Sequence, residues 1–206
     1  MIAPAMNTPA SYPRIAFFVL TAAFLFAGSA RAGDRAAGDT TPRYGLAVIS
    51  GNPFDPVSNI HFIQLSAFGI WDYDKVWHHW APEAMRFKVE VNGGSTFTPN
   101  IRTVLSTEMM ALYYMKSLST PRLAPFVTTG IGLIYTDFQT RDKGPPPEEM
   151  GSRLNFNPQI GIGTEISVQN GPPFFAEFRM SHISNADLND DNRGLNSVVF
   201  IFGRFF

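Results

Sequence analysis

The alternation between Arg153 and Val168 constrains this chain more than any other feature. Arg153, Asn155, Asn157, Gln159, Gly161, Gly163, Glu165 and Ser167 interleave with Leu154, Phe156, Pro158, Ile160, Ile162, Thr164, Ile166 and Val168. A period of two puts the first set on one face of a β-strand and the second on the other. Residues 85–92 repeat the pattern, with Met85, Phe87, Val89 and Val91 against Arg86, Lys88, Glu90 and Asn92. Between residues 124 and 135, Val127, Ile131, Leu133 and Tyr135 oppose the small Thr128, Gly130 and Gly132. Pro158 has no N–H to give to a ladder, so it predicts a local bulge.

Turn signals divide the chain: Gly51-Asn52-Pro53, Asn92-Gly93-Gly94, Ser119-Thr120-Pro121, Gly144 to Pro147, and Asn170-Gly171-Pro172. The strands between them fall at about 43–50, 58–71, 84–92, 102–115, 123–137, 153–169, 173–184 and 195–206. There is no sequence repeat beyond this hairpin rhythm and no second domain. Eight such strands predict an all-β fold, an eight-stranded antiparallel transmembrane β-barrel over residues 43–206 whose lumen is filled by side chains. Arg86, Lys88, Glu90, Glu108, Glu165, Glu177 and Arg179 would point inward as charges able to pair. Phe87, Val89, Ile160 and Ile162 would face lipid. Val198, Phe200, Phe202 and Phe206 share one face and end on an aromatic, as outer-membrane strands commonly do. A soluble β-sandwich or lipocalin-like barrel alternates too, but the aromatic end, the strand lengths and the N-terminal segment favour the membrane.

That segment reads as a secretory leader. Arg14 precedes an apolar run from Ile15 to Gly28, and Ala30-Arg31-Ala32 offers an A-x-A cleavage site. The run is shorter than the ~20 residues a spanning helix needs. Residues 1–32 are therefore expected to be a signal peptide, and 33–42 a mobile N-terminus ahead of the barrel. Cleavage would leave 174 residues with 14 basic side chains against 17 acidic ones. No basic tract marks a nucleic-acid partner. Cysteine is absent, which excludes disulfides and thiolate-bound zinc.

The chemistry-bearing stretch is Arg179-Met180-Ser181-His182-Ile183-Ser184-Asn185-Ala186. On a strand His182 and Ser184 share a face, about 6.6 Å apart along the backbone. That face also carries Phe174, Ala176 and Phe178, whereas Glu177, Arg179 and Ser181 lie on the other. A base and a nucleophile thus sit on the greasy side, where unpaired polar groups facing lipid are costly. With both chain ends in the periplasm, the seventh strand delivers the pair near its outer end, in the leaflet that holds lipopolysaccharide. The same topology makes Trp71 to Pro82 a periplasmic turn, long for that side.

His182-Ile183-Ser184-Asn185-Ala186, followed by Asn192-Arg193-Gly194-Leu195-Asn196 and a final apolar strand, resembles the lipid A 3-O-deacylase family. The resemblance implies a multi-pass β-barrel in the outer membrane of a Gram-negative cell, with an active site facing lipid. The implied enzyme is a serine esterase that hydrolyses an ester-linked acyl chain, at the 3-O position, of lipid A in lipopolysaccharide. It implies Ser184 as nucleophile, His182 as base, Asn185 as oxyanion contributor and a backbone N–H around Asp187 as second donor. Two positions depart from the pattern. Asp187 stands where the family often has Gly, and Asn196 stands where it has the acid of the triad. Asparagine can orient an imidazole, but Asp→Asn in a serine triad costs about 10⁴ in turnover. Asp190 and Asp191, in the adjoining loop, are the alternative acids. This chemistry needs no cofactor and no metal, and a homodimer is compatible with such a barrel. A reading of another class, kept alive by Asn196, is a non-catalytic barrel that binds lipopolysaccharide or stabilises the membrane.

Val76-Trp77-His78-His79-Trp80 is the other conspicuous cluster. Adjacent histidines point apart on a strand, and a metal needs three or four converging ligands. It reads instead as an interfacial aromatic belt. His61 has no assigned partner, Glu148-Glu149 read as solvated surface, and nothing requires Asp72 and Asp74 to chelate an ion.

Overall fold

The computed structural model describes residues 41–56, 58–78, 80–98, 100–138 and 150–206. The leader expected over 1–32, most of the 33–42 segment, His79 and the Glu148-Glu149 pair lie outside them. Strands β1 (Arg43–Asp55), β2 (His61–Asp72), β3 (Met85–Thr98), β4 (Arg102–Tyr114) and β5 (Leu123–Thr136) pair antiparallel in chain order. Both β6 (Leu154–Phe156) and β7 (Gln159–Ile166) pair with β5, as two halves of one barrel strand. The break between them falls at Asn157-Pro158, where a ladder donor is missing. β8 (Phe174–Ile183) follows, and β9 (Leu195–Phe205) pairs with both β8 and β1. The ring is thereby closed at eight strands with no free edge, which is how a sheet can stand in hydrocarbon.

Side chains partition in the sense opposite to a soluble protein. Arg86, Lys88, Glu90, Glu108, Glu165, Glu177 and Arg179 are all at most 2% exposed, while Leu65 is 71%, Val91 62% and Ile160 62% exposed. Charge inside and aliphatics outside suit a wall that meets lipid. Phe87 points outward yet is only 9% exposed. The rings of Tyr73 and Trp77 close on it edge-on, at 6.4 and 5.4 Å between centroids.

The inward charges pair. The guanidinium of Arg179 is shared by Glu90, at 2.7 and 2.8 Å, and Glu177, at 2.6 and 2.8 Å. Lys88 bonds Glu90, stands 3.7 Å from Glu177, and lies 4.7 Å from the ring centres of both Phe68 and Phe175. Nearer the chain ends, Arg43 holds Glu165 at 2.7 and 2.9 Å, and the Tyr114 hydroxyl donates to the same carboxylate. A buried ion without a partner costs several kcal/mol, so the lumen requires this pairing. One cavity, of about 20 Å³, lies among Gln64, Asn92, Glu108, Asn157 and Gln159. That is room for about one water, so the lumen there is packed rather than open.

Two segments expected as turns are strand instead. β1 runs through Gly51-Asn52-Pro53, and β3 runs through Asn92-Gly93-Gly94. A Cβ on Gly94 would stand 1.9 Å from the Ile63 carbonyl oxygen and 2.6 Å from the Gln64 Cα. The glycine therefore permits a close strand approach and makes no turn. Pro53 sits where the β1–β9 register shifts, between Pro53 and Asp55, and the irregularity absorbs its missing donor. β1 thus ends at Asp55 ahead of β2 at His61, and β3 ends at Thr98 ahead of β4 at Arg102. The long turn after β2 is filled by a short helix, α1 (Tyr73–Trp77). The Asp72 carboxylate caps it, accepting from Asp74 N at 3.0 Å and Lys75 N at 3.4 Å. His78 ends it in the left-handed region, at φ 52°. With Tyr44 packed edge-on to Trp71 at 5.8 Å, aromatic rings cluster at the end of the barrel where β1 starts and β9 stops. The loop 184–194 lies at the opposite end.

Candidate active site

Alternation along β8 aims Phe178, Met180 and His182 outward, and turns Ile183 inward, where it is 2% exposed. His182 lies opposite Asn196 in the β8–β9 ladder, and its Nδ1 stands 2.7 Å from Asn196 Oδ1. An amide oxygen only accepts, so with this contact a neutral ring carries its proton on Nδ1 and has the lone pair on Nε2. The backbone N–H of His182 donates to the Pro158 carbonyl at 3.0 Å. Ser184 is held to β6 by a two-way bridge, its N–H to the Phe156 carbonyl at 3.1 Å and the return bond at 2.8 Å. The register with β8 runs unbroken through Pro158, from Gln159 opposite Ser181 to Phe156 opposite Ser184, so the proline makes no bulge and the end of β8 is held by ordinary ladder bonds.

Neither His182 Nε2 nor Ser184 Oγ makes a hydrogen bond among the described residues. Side-chain rotation has to close that gap, and catalytic bonds are commonly long before substrate binds. A Cβ at position 194 would stand 2.6 Å from His182 Cε1 and 3.1 Å from Nε2. Glycine at 194 keeps the reactive edge of the ring uncovered.

The loop after Ser184 is organised from within. Asn185 is 2% exposed, and its amide donates to the carbonyls of Met150 at 3.0 Å and Asp191 at 2.7 Å. Its backbone N–H donates to Asn192 Oδ1 at 2.9 Å. The donors of Asn185 are therefore bonded to Met150, Asp191 and Asn192, and in this arrangement none is left over for the oxyanion contribution expected of this residue. Asn192 Nδ2 donates to Asp187 Oδ1 at 2.6 Å, which ties that carboxylate into the loop. Ala186 and Asp187 adopt left-handed backbone, at φ 55° and 60°. This explains why glycine suits position 187, and aspartate is among the side chains that tolerate the region. Their backbone N–H groups make no hydrogen bond among the described residues. These two N–H groups are the uncommitted donors nearest in sequence to Ser184.

Asp190 and Asp191 are exposed, and no hydrogen bond links either side chain to His182. The structure brings Asn196 to the imidazole. It also brings two residues that sequence reasoning missed. Asn196 Nδ2 donates to Asp55 Oδ2 at 3.1 Å, and Arg193 donates to Asp55 Oδ1 at 2.6 Å. The available signal was barrel closure, which pairs the first strand with the last; an expected end of β1 at residue 50 left Asp55 out of range. His61 is also accounted for, its Nδ1 bonded to Asn52 Oδ1 and its ring stacked on Phe97 at 6.2 Å. Among the described residues no group of three or more His, Cys, Asp or Glu side chains gathers as metal ligands would.

Behind His182 an apolar track runs down the outer wall. Met180 pairs with Val198 and Ile160, and Phe178 with Phe200 and Ile162. Fold and site together define a membrane-embedded β-barrel with a polar cluster at the rim of its lipid-facing wall. The model of the lipid A 3-O-deacylase (PagL) family matches residues 63–204, and the chain belongs to that family. The crystal structure of the outer membrane enzyme PagL is similar, with 21% identity over 77% of this chain and 97% of that one and a TM-score of 0.53. Neisserial surface protein A (NspA) matches with 12% identity over 80% of this chain and 95% of that one, at a TM-score of 0.56. At such identities the structural likeness shows the shared barrel. Comparison with functionally curated proteins finds no match. The chain is thus an outer-membrane β-barrel of the PagL family.

Proposed function

We propose that this barrel is a lipid A deacylase that hydrolyses an ester-linked acyl chain, the 3-O one, by a Ser–His mechanism. The observation that carries it is the 2.7 Å contact of His182 Nδ1 with Asn196 Oδ1, on the wall facing lipid and beside Ser184. The acyl chain of the substrate lies along Met180, Phe178 and Phe200. His182 Nε2 takes the proton of Ser184 as Oγ attacks the ester carbonyl. The backbone N–H groups of Ala186 and Asp187 stabilise the tetrahedral oxyanion. The carbon–oxygen ester bond then breaks, and the imidazolium returns its proton to the departing sugar alkoxide. Water, deprotonated by the same Nε2, hydrolyses the acyl-enzyme to a free fatty acid.

Mass spectrometry of lipid A from Gram-negative cells with and without the chain tests this. Loss of one 3-hydroxyacyl chain on expression is the expected result. Unchanged lipid A from a folded, outer-membrane protein would favour the non-catalytic barrel that binds lipopolysaccharide.

A further inference from the structure

We propose that Asp55 is a positioning residue of the candidate site, supplying through Asn196 the orientation that a carboxylate on position 196 would supply directly. The proposal rests on the Ser–His reading only for its effect on turnover; its effect on the imidazole stands by itself.

Three adjacent strands converge at one level of the outer wall. His182 on β8 pairs with Asn196 on β9, and Asn196 pairs with Asp55 on β1. Strict alternation would turn Asp55 to the lumen with Ile49, Gly51 and Pro53, all buried. The register shift between Pro53 and Asp55 turns it out instead, onto the face of Asn196. Bulges beside sites commonly re-aim a side chain in this way. The result is an unbroken chain of bonds. Arg193 donates to Asp55 Oδ1 at 2.6 Å, Asn196 Nδ2 donates to Asp55 Oδ2 at 3.1 Å, and Asn196 Oδ1 stands 2.7 Å from His182 Nδ1.

An asparagine amide has two ends and one rotation that exchanges them. With the oxygen toward His182, the ring keeps its proton on Nδ1 and offers Nε2 as base. With the NH₂ toward His182, Nδ1 has to accept, the proton moves to Nε2, and the ring cannot deprotonate Ser184. Nothing in Asn196 itself selects the first state. A carboxylate can only accept, so Asp55 requires the NH₂ end and thereby turns the oxygen to His182. Arg193 in turn holds the half-exposed carboxylate through its bond to Oδ1, leaving Oδ2 to the amide of Asn196. At metal sites, removing the group that orients a ligating histidine costs about 10- to 100-fold in affinity or activity, and the same scale is expected for an imidazole oriented here through Asn196.

The full-length barrel, refolded in detergent with ¹⁵N-labelled histidine, reports the tautomer directly, and a His182→Ala spectrum assigns the signal. The native chain should show the Nδ1–H form, and Asp55→Ala a mixture with the Nε2–H form. Asp55→Asn, which keeps an acceptor, should lie between. Should Asp55→Ala not fold, Asp55→Ser takes its place, being too short to reach the amide. An unchanged tautomer overturns the proposal whether or not the barrel is an enzyme. For turnover on lipid A, Asp55→Ala should lower kcat by about 10- to 100-fold with KM unchanged. In an Asn196→Glu background, where a carboxylate meets His182 directly, the same change should cost nothing. Equal losses in the two backgrounds would mean a merely structural role. Absence of turnover in every variant would defeat the deacylase reading and leave the tautomer result to decide Asp55.

Discussion

The barrel holds two polar clusters built from the same kinds of side chain and finished differently. In the lumen, Arg179, Lys88, Glu90 and Glu177 are buried to 1% exposure and satisfy one another. On the outer rim, Arg193, Asp55, Asn196 and His182 form a chain that stops at Nε2, which, like the neighbouring serine hydroxyl, has no hydrogen-bond partner among the described residues. Burial forces the first cluster to close, because an unmatched ion there costs several kcal/mol. Exposure at the rim lets the second end open. A polar group with a spare valence on an apolar wall is where chemistry can take place, and a closed network is where the fold is held.

The largest effects should separate the two clusters cleanly. Arg179→Ala leaves Lys88 as the one cation against both Glu90 and Glu177 among the described residues, and should cost about 3–5 kcal/mol of barrel stability. A lower urea midpoint in detergent reads this, while the folded fraction keeps its turnover. His182→Ala should do the reverse. Its side chain bonds only at the rim, so the midpoint and heat-modifiability should hold, while turnover falls by up to about 10⁶-fold, the scale of histidine removal from a serine triad. Loss of stability in both variants would dissolve the contrast.

A smaller effect sharpens it from within the rim. Asn196 meets His182 through its amide oxygen but bears no charge to stabilise an imidazolium. Asn196→Glu should therefore raise turnover, with about 10⁴-fold as the ceiling set by the serine-triad comparison and a far smaller gain from imperfect reach. Asn196→Ala should lower it. A silent Asn196→Ala beside an inactive Asp190→Ala or Asp191→Ala, measured on the same lipid A substrate, would move the acid into the loop.

The barrel was legible because its alternation is dense. Lys88, Glu90, Glu165 and Arg179 fall inward and Val91, Ile160 and Ile162 outward on period alone. The ends of β1 and β3 were not legible, because Gly51-Asn52-Pro53 and Asn92-Gly93-Gly94 carry turn chemistry that closure of the barrel overrides. Glycine there admits a neighbouring strand, which only the neighbour's position can reveal. His182, Ser184 and Asn196 were legible from spacing and family likeness within one hairpin. Asp55 was hidden by its distance in sequence and by a register shift that breaks the alternation on which the reading relied. The inward turn of Asn185 was hidden too, since its partners are the carbonyls of Met150 and Asp191.

The central claim is that the open end of the rim cluster is a nucleophile activated by an imidazole on a lipid-facing wall. A fluorophosphonate carrying a long alkyl chain, presented to the folded barrel in detergent, tests it most directly when the modified peptide is identified by mass. The account predicts one adduct, on Ser184, that disappears in Ser184→Ala and in His182→Ala. Labelling that misses Ser184, or that persists at Ser184 without His182, would contradict it.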